Sequence, residues 1–185
     1  LEEDGGDSIP VHCVYDNEEV GSGTKQGAGS TFLLDTLLRV NEGLGRSPGR
    51  YRQALASSFM LSADNAHGVH PNYPEKACPT NRPYLNEGIV IKYSANQKYT
   101  TDGMAAAVFT QICERAGVPV QKFLNRSDIL GGSTLGNISG TQVALNSVDI
   151  GLAQLSMHST YETAGTKDIE YLVRASRAFF EAGIQ

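Results

Sequence analysis

A chain of 185 residues with 40% apolar and 19% charged residues has the composition of one globular domain, long enough to bury roughly 70% of its unfolded surface. Its net charge of -5, with no basic stripe or cluster, argues against a nucleic-acid or membrane-surface binder. No apolar run approaches the ~20 residues of a membrane-spanning helix, and no signal-peptide pattern is read.

The three cysteines, Cys13, Cys78 and Cys113, are odd in number and widely spaced. They form neither a disulfide framework nor a CxxC metal pattern, and they read as free thiols of a reducing, cytoplasmic setting. Cys13 and Cys113 sit in apolar runs and are expected to be buried. The lead-in "LEEDGGDS" begins at Leu1 and reads as the interior of a longer polypeptide.

In chain order, "IPVHCVYD" (9–16) has the β-branched and aromatic make-up of a buried strand, with His12 as a structural member of it. It runs into "YDNEEVGS", where Glu18 and Glu19 stand side by side. "GSGTKQGAGS" lacks the GxxxxGK[ST] arrangement of a phosphate loop, so its glycines are expected to let backbone pass close to backbone. "STFLLDTLLRVNEG" carries helical spacing with Gly43 as a stop, and "SPGRYRQALASS" opens a second helix on Ser47 and Pro48.

"SFMLSAD" (58–64) predicts a short strand ending in Asp64. Residues 65–87, rich in Asn, Pro and His, are too long for an ordinary connection and read as a functional loop. "GIVIKYSA" (88–95) is a strand; the next helix starts near Thr101 or Asp102 and ends at Gly117. "VPVQKFLNR" is a strand, and "GGSTLGNIS" a small-residue turn into a short helix. "NSVDIGLAQLSMHS" is read as one strand delivering His158. "TKDIEYLVRASRAFFEAG" closes the chain with a helix capped by Thr166 and stopped by Gly183. The alternation predicts an α/β fold, a three-layer sandwich with a central mixed, mainly parallel sheet flanked by helices.

Three strand ends thus carry groups that bind metals or move protons: Glu18 and Glu19, then Asp64 and His67, then His158. In open α/β sheets, ligands bind beyond the carboxyl ends of strands. Adjacent glutamates suit a metal hydrolase, because one carboxylate can hold a cation while the other acts as base toward the attacking water. The cation would also offset their mutual repulsion. Each signal also has a plain reading: a solvated turn for the pair, a turn or cap residue for Asp64, a core histidine for His158. Together these strand-end groups point to a metal-dependent hydrolase and no further.

The motifs together say more. "YDNEEVGS", "SADNAHGVHPNYPEK", "GIVIKYSANQKYTTD", "GVPVQKFLNRSD", "GGSTLG" and "DIGLAQLSMHSTYETAG", in this order and over essentially the whole chain, resemble the C-terminal catalytic portion of an M18-family metallopeptidase of the aspartyl aminopeptidase group. The resemblance implies a zinc-exopeptidase-like fold, with residues 1–185 as the C-terminal part of its catalytic domain. It implies removal of an N-terminal residue, Asp or Glu favoured, from peptide substrates with two zinc ions, Mn or Co being acceptable substitutes. By motif position it implies Glu18 as general base, Glu19 and His158 as ligands of one zinc, and Asp64 as ligand of the other. His67 would stabilise the tetrahedral intermediate. Lys92 and Tyr99 would line the pocket for the first residue, Lys92 facing an acidic side chain. Gly132 and Ser133 would supply contacts from the "GGSTLG" turn.

The family pattern also has an earlier histidine ligand, a bridging aspartate and an inserted domain that assembles dodecamers, none with a counterpart in these 185 residues. Cys78 stands where the family often has histidine. The alternative is therefore a non-catalytic fragment or binding module with a weak site at Glu19 and His158. A two-metal phosphoesterase is disfavoured, since no Arg/Lys cluster is poised for phosphate.

Overall fold

The computed structural model describes residues 8–184, so the acidic lead-in up to Asp7 lies outside the described part. Two helices come first: α1 (Phe32–Gly43) and α2 (Pro48–Ala56). Ser47 caps α2 as its sequence predicts, its side chain accepting from the Arg50 N–H with Pro48 in the first turn. Gly43 is the last residue of α1 rather than its stop; the left-handed conformation falls to Gly45, at φ +66°.

Four strands form the main sheet: β1 (Phe59–Ala63), β3 (Ile89–Tyr93), β4 (Val120–Leu124) and β5 (Asn146–Gly151), in the order β1-β5-β3-β4. β1 lies parallel to β5 and β3 parallel to β4, while β3 and β5 run antiparallel. A smaller sheet joins β2 (Ala66–His67), β6 (Ala153–Leu155) and β7 (Thr163–Ala164). The stretch expected as one strand up to His158 is thus two strands in two sheets. Leu152 between them turns the chain from the first sheet to the second.

Side chains alternate across a sheet, and here the two faces differ in chemistry. One face carries Phe59, Leu61, Ile89, Ile91, Val148 and Ile150. It packs on α3 (Gly103–Arg115) and α5 (Thr166–Glu181), which also pack on each other and supply Phe109, Cys113 and Ala175 to the core. The other face carries Ser62 on β1, Asp149 on β5 and Lys92 on β3, all buried. Ser62 pairs with Asp149, and the β3–β5 register, continued one residue beyond Ile91 and Ile150, sets Lys92 opposite Asp149. The short α4 (Leu135–Ser139) covers this polar face at Gly136, where a Cβ would lie 2.7 Å from Asp149 Oδ1 and 2.8 Å from Ser62 Oγ. Helices therefore flank both faces, as the three-layer expectation requires.

Asp102 caps α3 by accepting from Ala105 N–H, and Gly117 follows its end at φ +63°. α5 is capped differently from expectation: Gly165, not Thr166, is its N-cap, with no side-chain bond. Instead Asp168, completely buried in the first turn, accepts from the N–H groups of Asn86 (2.6 Å) and Gly88 (3.0 Å). The carboxylate thereby ties the helix start to the entrance of β3.

The strand expected at 9–16 does not form. Among the described residues this run makes one backbone–backbone hydrogen bond, from Asp16 N–H to Gln26 O at 3.2 Å. Strand propensity needs a neighbour to accept its ladder, and Ile9, Val11, Val14 and His12 stay exposed. Cys13 is half-buried and Cys113 fully buried. Among the described residues, no helix is long and apolar enough to cross a membrane.

Asp168→Ala should lower stability by about 2–4 kcal/mol, since a buried and a part-buried N–H group both lose their charged acceptor. Urea denaturation checks this as a lower midpoint at unchanged slope, with Asp168→Asn recovering part of the loss.

Candidate active site

The site is assembled from the ends of β1 and β2 and from two turns that carry strained backbone. Asp64 follows β1 and is held by its N–H, which donates to Ile150 O at 3.1 Å. Lys92 reaches it from β3. Its Nζ donates to the carbonyl of Asp64 at 2.9 Å and that of Asn65 at 3.4 Å, and lies 3.5 Å from Asp64 Oδ2. The Tyr99 ring sits over the ammonium, 5.2 Å from centroid to Nζ. Lys92 is 1% exposed, and burial pushes its pKa down against the pull of Asp64 and Asp149.

Glu18 and Glu19 lie in a turn rather than at a strand end. Asn17 before them is left-handed at φ +63°, its carbonyl accepts from Gly21 N–H at 2.8 Å, and Gly21 has φ +142°. The following glycines bring backbone against backbone as expected: a Cβ at Gly27 would collide with the Ser22 carbonyl. His158 lies on the seven-residue connection between β6 and β7, also left-handed at φ +66°, two residues after Ser156 at φ +56°. Such conformations cost non-glycine residues roughly 1–2 kcal/mol each and collect at functional sites.

The two turns meet. His158 Nε2 lies 2.9 Å from Glu19 Oε2, both side chains 65% exposed at the mouth of a cleft of about 420 Å³ lined by Glu19, His158, Ser159 and Glu162. Glu18 lies in the same turn and is half-buried. Burial first, and then the carboxylates of Asp64 and Glu19, raise its pKa above the usual glutamate value, while His158 pulls it down. His67 is shifted the opposite way: partial burial, then His158 and Lys92, hold its imidazole below the ordinary range. Its ring lies 6.4 Å from that of Phe123. Glu18, Glu19, Asp64, His67, Lys92 and His158 thus share one electrostatic neighbourhood.

Gly132 and Ser133 are exposed at the approach to α4, with Ser133 Oγ donating to Asn137 Oδ1 at 2.6 Å. Their loop reaches the buried cluster through Thr134, whose Oγ1 donates to Asp149 Oδ1 at 2.7 Å. Asp149 was not singled out from sequence. It is fully buried and also accepts from the Thr100 N–H (2.5 Å) and Oγ1 (2.9 Å), while its own N–H donates to Thr101 Oγ1 at 2.9 Å. Its signal was present: a carboxylate inside a strand otherwise reading as buried. Glu162, which accepts from His158 N–H at 2.7 Å, carried no such signal.

A carboxylate oxygen and an imidazole nitrogen this close, at the mouth of a cleft, suit a borderline cation such as zinc. Among the described residues, no group of three or more His, Cys, Asp and Glu is gathered to hold a metal ion. The donor set therefore fits zinc in kind and supplies part of a coordination shell.

Comparison with known proteins decides the family. The model of the family described as "Aminopeptidase I zinc metalloprotease (M18)" matches residues 2–180. The chain belongs to the M18 aminopeptidase family. It is 51% identical over 170 residues to a probable M18 family aminopeptidase 2 of Clostridium acetobutylicum, covering 92% of this chain and 39% of that protein. It is 42% identical to the aspartyl aminopeptidase of Dictyostelium discoideum, covering 91% of this chain and 36% of that one. Among solved structures, the mApe1 dodecamer of S. cerevisiae superposes with a TM-score of 0.77 at 32% identity, over 91% of this chain and 37% of that one. The chain thus spans somewhat over a third of these M18 relatives.

The sulfur of Cys78 interacts with Thr80 Oγ1 (3.4 Å) and accepts from Asn81 N–H (3.5 Å). These hydrogen bonds, Thr80 first, lower its pKa to about 6, whereas burial raises Cys113 to about 12. Alkylation at pH 7.5 should therefore modify Cys78 first and leave Cys113 unlabelled until the chain unfolds, a sequence that peptide mass mapping reads directly.

Proposed function

We propose that this chain supplies the proton-transfer group and part of the metal-ligand set of a metallo-aminopeptidase that removes N-terminal residues from peptides. The observation that carries this function is the Glu19–His158 contact, with Glu18 half-buried next to it in the same turn. Glu19 and His158 would hold one zinc and Asp64 the other, in a complete site with two. Zinc, when bound, supplies a Lewis acid that polarises the scissile carbonyl and makes water acidic near neutral pH.

The remaining chemistry belongs to side chains. Glu18 takes a proton from the attacking water at a carboxylate oxygen and returns it to the leaving amine. A glutamate with a raised pKa is better suited to both halves of that transfer than an ordinary one. His67, kept neutral, can donate one hydrogen bond to the carbonyl oxygen as charge develops there. Lys92 orients Asp64 and, with Tyr99 over it, lends positive potential to the pocket for the first residue. Together with a relative named an aspartyl aminopeptidase, that supports a preference for Asp or Glu. Gly132 and Ser133 would contact substrate from the rim. A relative solved as a dodecamer supports a homo-oligomer, and free thiols at Cys13, Cys78 and Cys113 support a cytoplasmic setting.

A second reading, a metal-binding segment without turnover of its own, is favoured by one observation: among the described residues the ligands do not reach three at one point. Elemental analysis separates the two. Two zinc ions per chain with hydrolysis of an aspartyl anilide favours the enzyme; one weakly held ion and no hydrolysis favours the segment.

Under the first reading, Glu18→Gln should keep the zinc and lower kcat by about 10²–10⁴-fold. An unchanged kcat for aspartyl anilide would remove Glu18 from the role of base. Glu19→Gln and His158→Ala should each lose the same one equivalent of zinc, and Asp64→Asn the other, by elemental analysis after dialysis.

A further inference from the structure

His158 is an unusual place to hang a ligand. Its side chain is 65% exposed, and its backbone is left-handed on a connection where Ser156 is left-handed too. Ligating imidazoles are ordinarily fixed by a hydrogen bond at the ring nitrogen opposite the metal. Among the described residues no such bond reaches His158 Nδ1, while Nε2 faces Glu19. Beyond that Nε2 contact, what the structure offers to place the ring acts through the backbone.

The backbone N–H of His158 donates to Glu162 Oε1 at 2.7 Å, a charge-assisted bond across four residues. Glu162 is itself well placed to serve as an anchor. It immediately precedes β7, whose Thr163 is paired with Leu155 at the end of β6, so the two ends of the connection are clamped together. Inside the clamp, Ser159 N–H donates to Ser156 O at 3.0 Å and Tyr161 N–H to Ser159 Oγ at 3.0 Å. The Glu162 carboxylate closes this small turn at its apex and borders the same cleft as Glu19 and His158.

We propose that Glu162 is a positioning residue: its carboxylate captures the His158 N–H and holds the left-handed turn that aims the imidazole at Glu19. The inference rests on the reading of His158 as a metal ligand only for its consequence on zinc; the geometry itself stands apart from any metal.

The test therefore has two readouts on the intact protein. Amide hydrogen exchange, measured without added metal, should show His158 exchanging at least about tenfold faster in Glu162→Ala than in the wild type, with Glu162→Gln near wild type because an amide oxygen still accepts. Zinc titration should show an affinity about 10–100-fold weaker in Glu162→Ala, largely restored in Glu162→Gln. Glu162 is exposed, so both variants are expected to keep the wild-type denaturation midpoint closely. Unchanged His158 exchange in Glu162→Ala overturns the proposal, whatever zinc does. Glu162→Gln as weak for zinc as Glu162→Ala, with exchange preserved, also overturns it, since the charge would then act directly on the ion. A His158→Ala variant that binds zinc like the wild type would instead defeat the ligand reading, and the exchange result alone would then decide the positioning role.

Discussion

Lys92 is the point on which the rest of the site depends. Its ammonium lies inside the fold, opposite Asp149 in the sheet and within reach of Asp64 at the end of β1. Removing such a charge from water costs several kcal/mol, offset only where carboxylates and carbonyls surround it. Here the compensation comes from the Asp64 and Asn65 carbonyls, the Asp64 carboxylate and the field of Asp149. Asp149 in turn takes bonds from Thr100 and Thr134, so the loops after β3 and before α4 are both fastened to one carboxylate. Gly136 follows from the same constraint, because α4 can approach the polar row only where no Cβ intervenes. A single rung across the sheet thus fixes the ends of three chain segments around Asp64.

The outer half of the site is built on a different principle. Glu18, Glu19 and His158 hang from turns whose backbone is left-handed at Asn17, Ser156 and His158. Among the described residues, short local hydrogen bonds hold these turns. Asp64, by contrast, cannot move without breaking the contacts of Lys92. The result is one carboxylate, Asp64, tied to a buried lysine, and an exposed Glu19–His158 pair held by local turns.

Much of this was legible in the sequence, and the failures have physical causes. The five helices and the strands at 59–63, 89–93 and 120–124 follow from apolar periodicity, Ser47 and Asp102 as caps, and glycine at 117 and 183. The run 9–16 failed because its alternation states a preference for strand without stating a partner, and hydrogen bonding across a sheet is a long-range fact. The switch of sheet at Leu152 was hidden because both strands are apolar on either side of it. At α5 the helix start was placed correctly, but Thr166 was credited with a cap that long-range contact from Asp168 to Asn86 and Gly88 replaces. Among the candidate site residues, the place of Asp64 directly after a strand was readable from pattern, whereas His158 falls in a connection between two strands rather than at a strand end. The internal partners of Lys92, the Asp64 and Asn65 carbonyls, were not legible, because they depend on how β1 ends beside β3.

The shift of Glu18 shows why the two glutamates cannot be considered separately. Its carboxyl is raised by burial and by the negative charges of Asp64 and Glu19, and lowered by His158. Every group proposed to hold a cation therefore also acts on the proposed base. Any positive charge gathered by the Glu19–His158 pair acts on Glu18 in the same direction as His158, favouring the ionised carboxylate that can accept a proton. Neutralising Glu19 removes a raising influence and a cation-holding oxygen at once, so its two effects on Glu18 oppose each other. The charge of Asp64, distant in sequence, weighs on Glu18 more than that of the adjacent Glu19 does, so the site couples these groups through the fold and not through sequence adjacency alone.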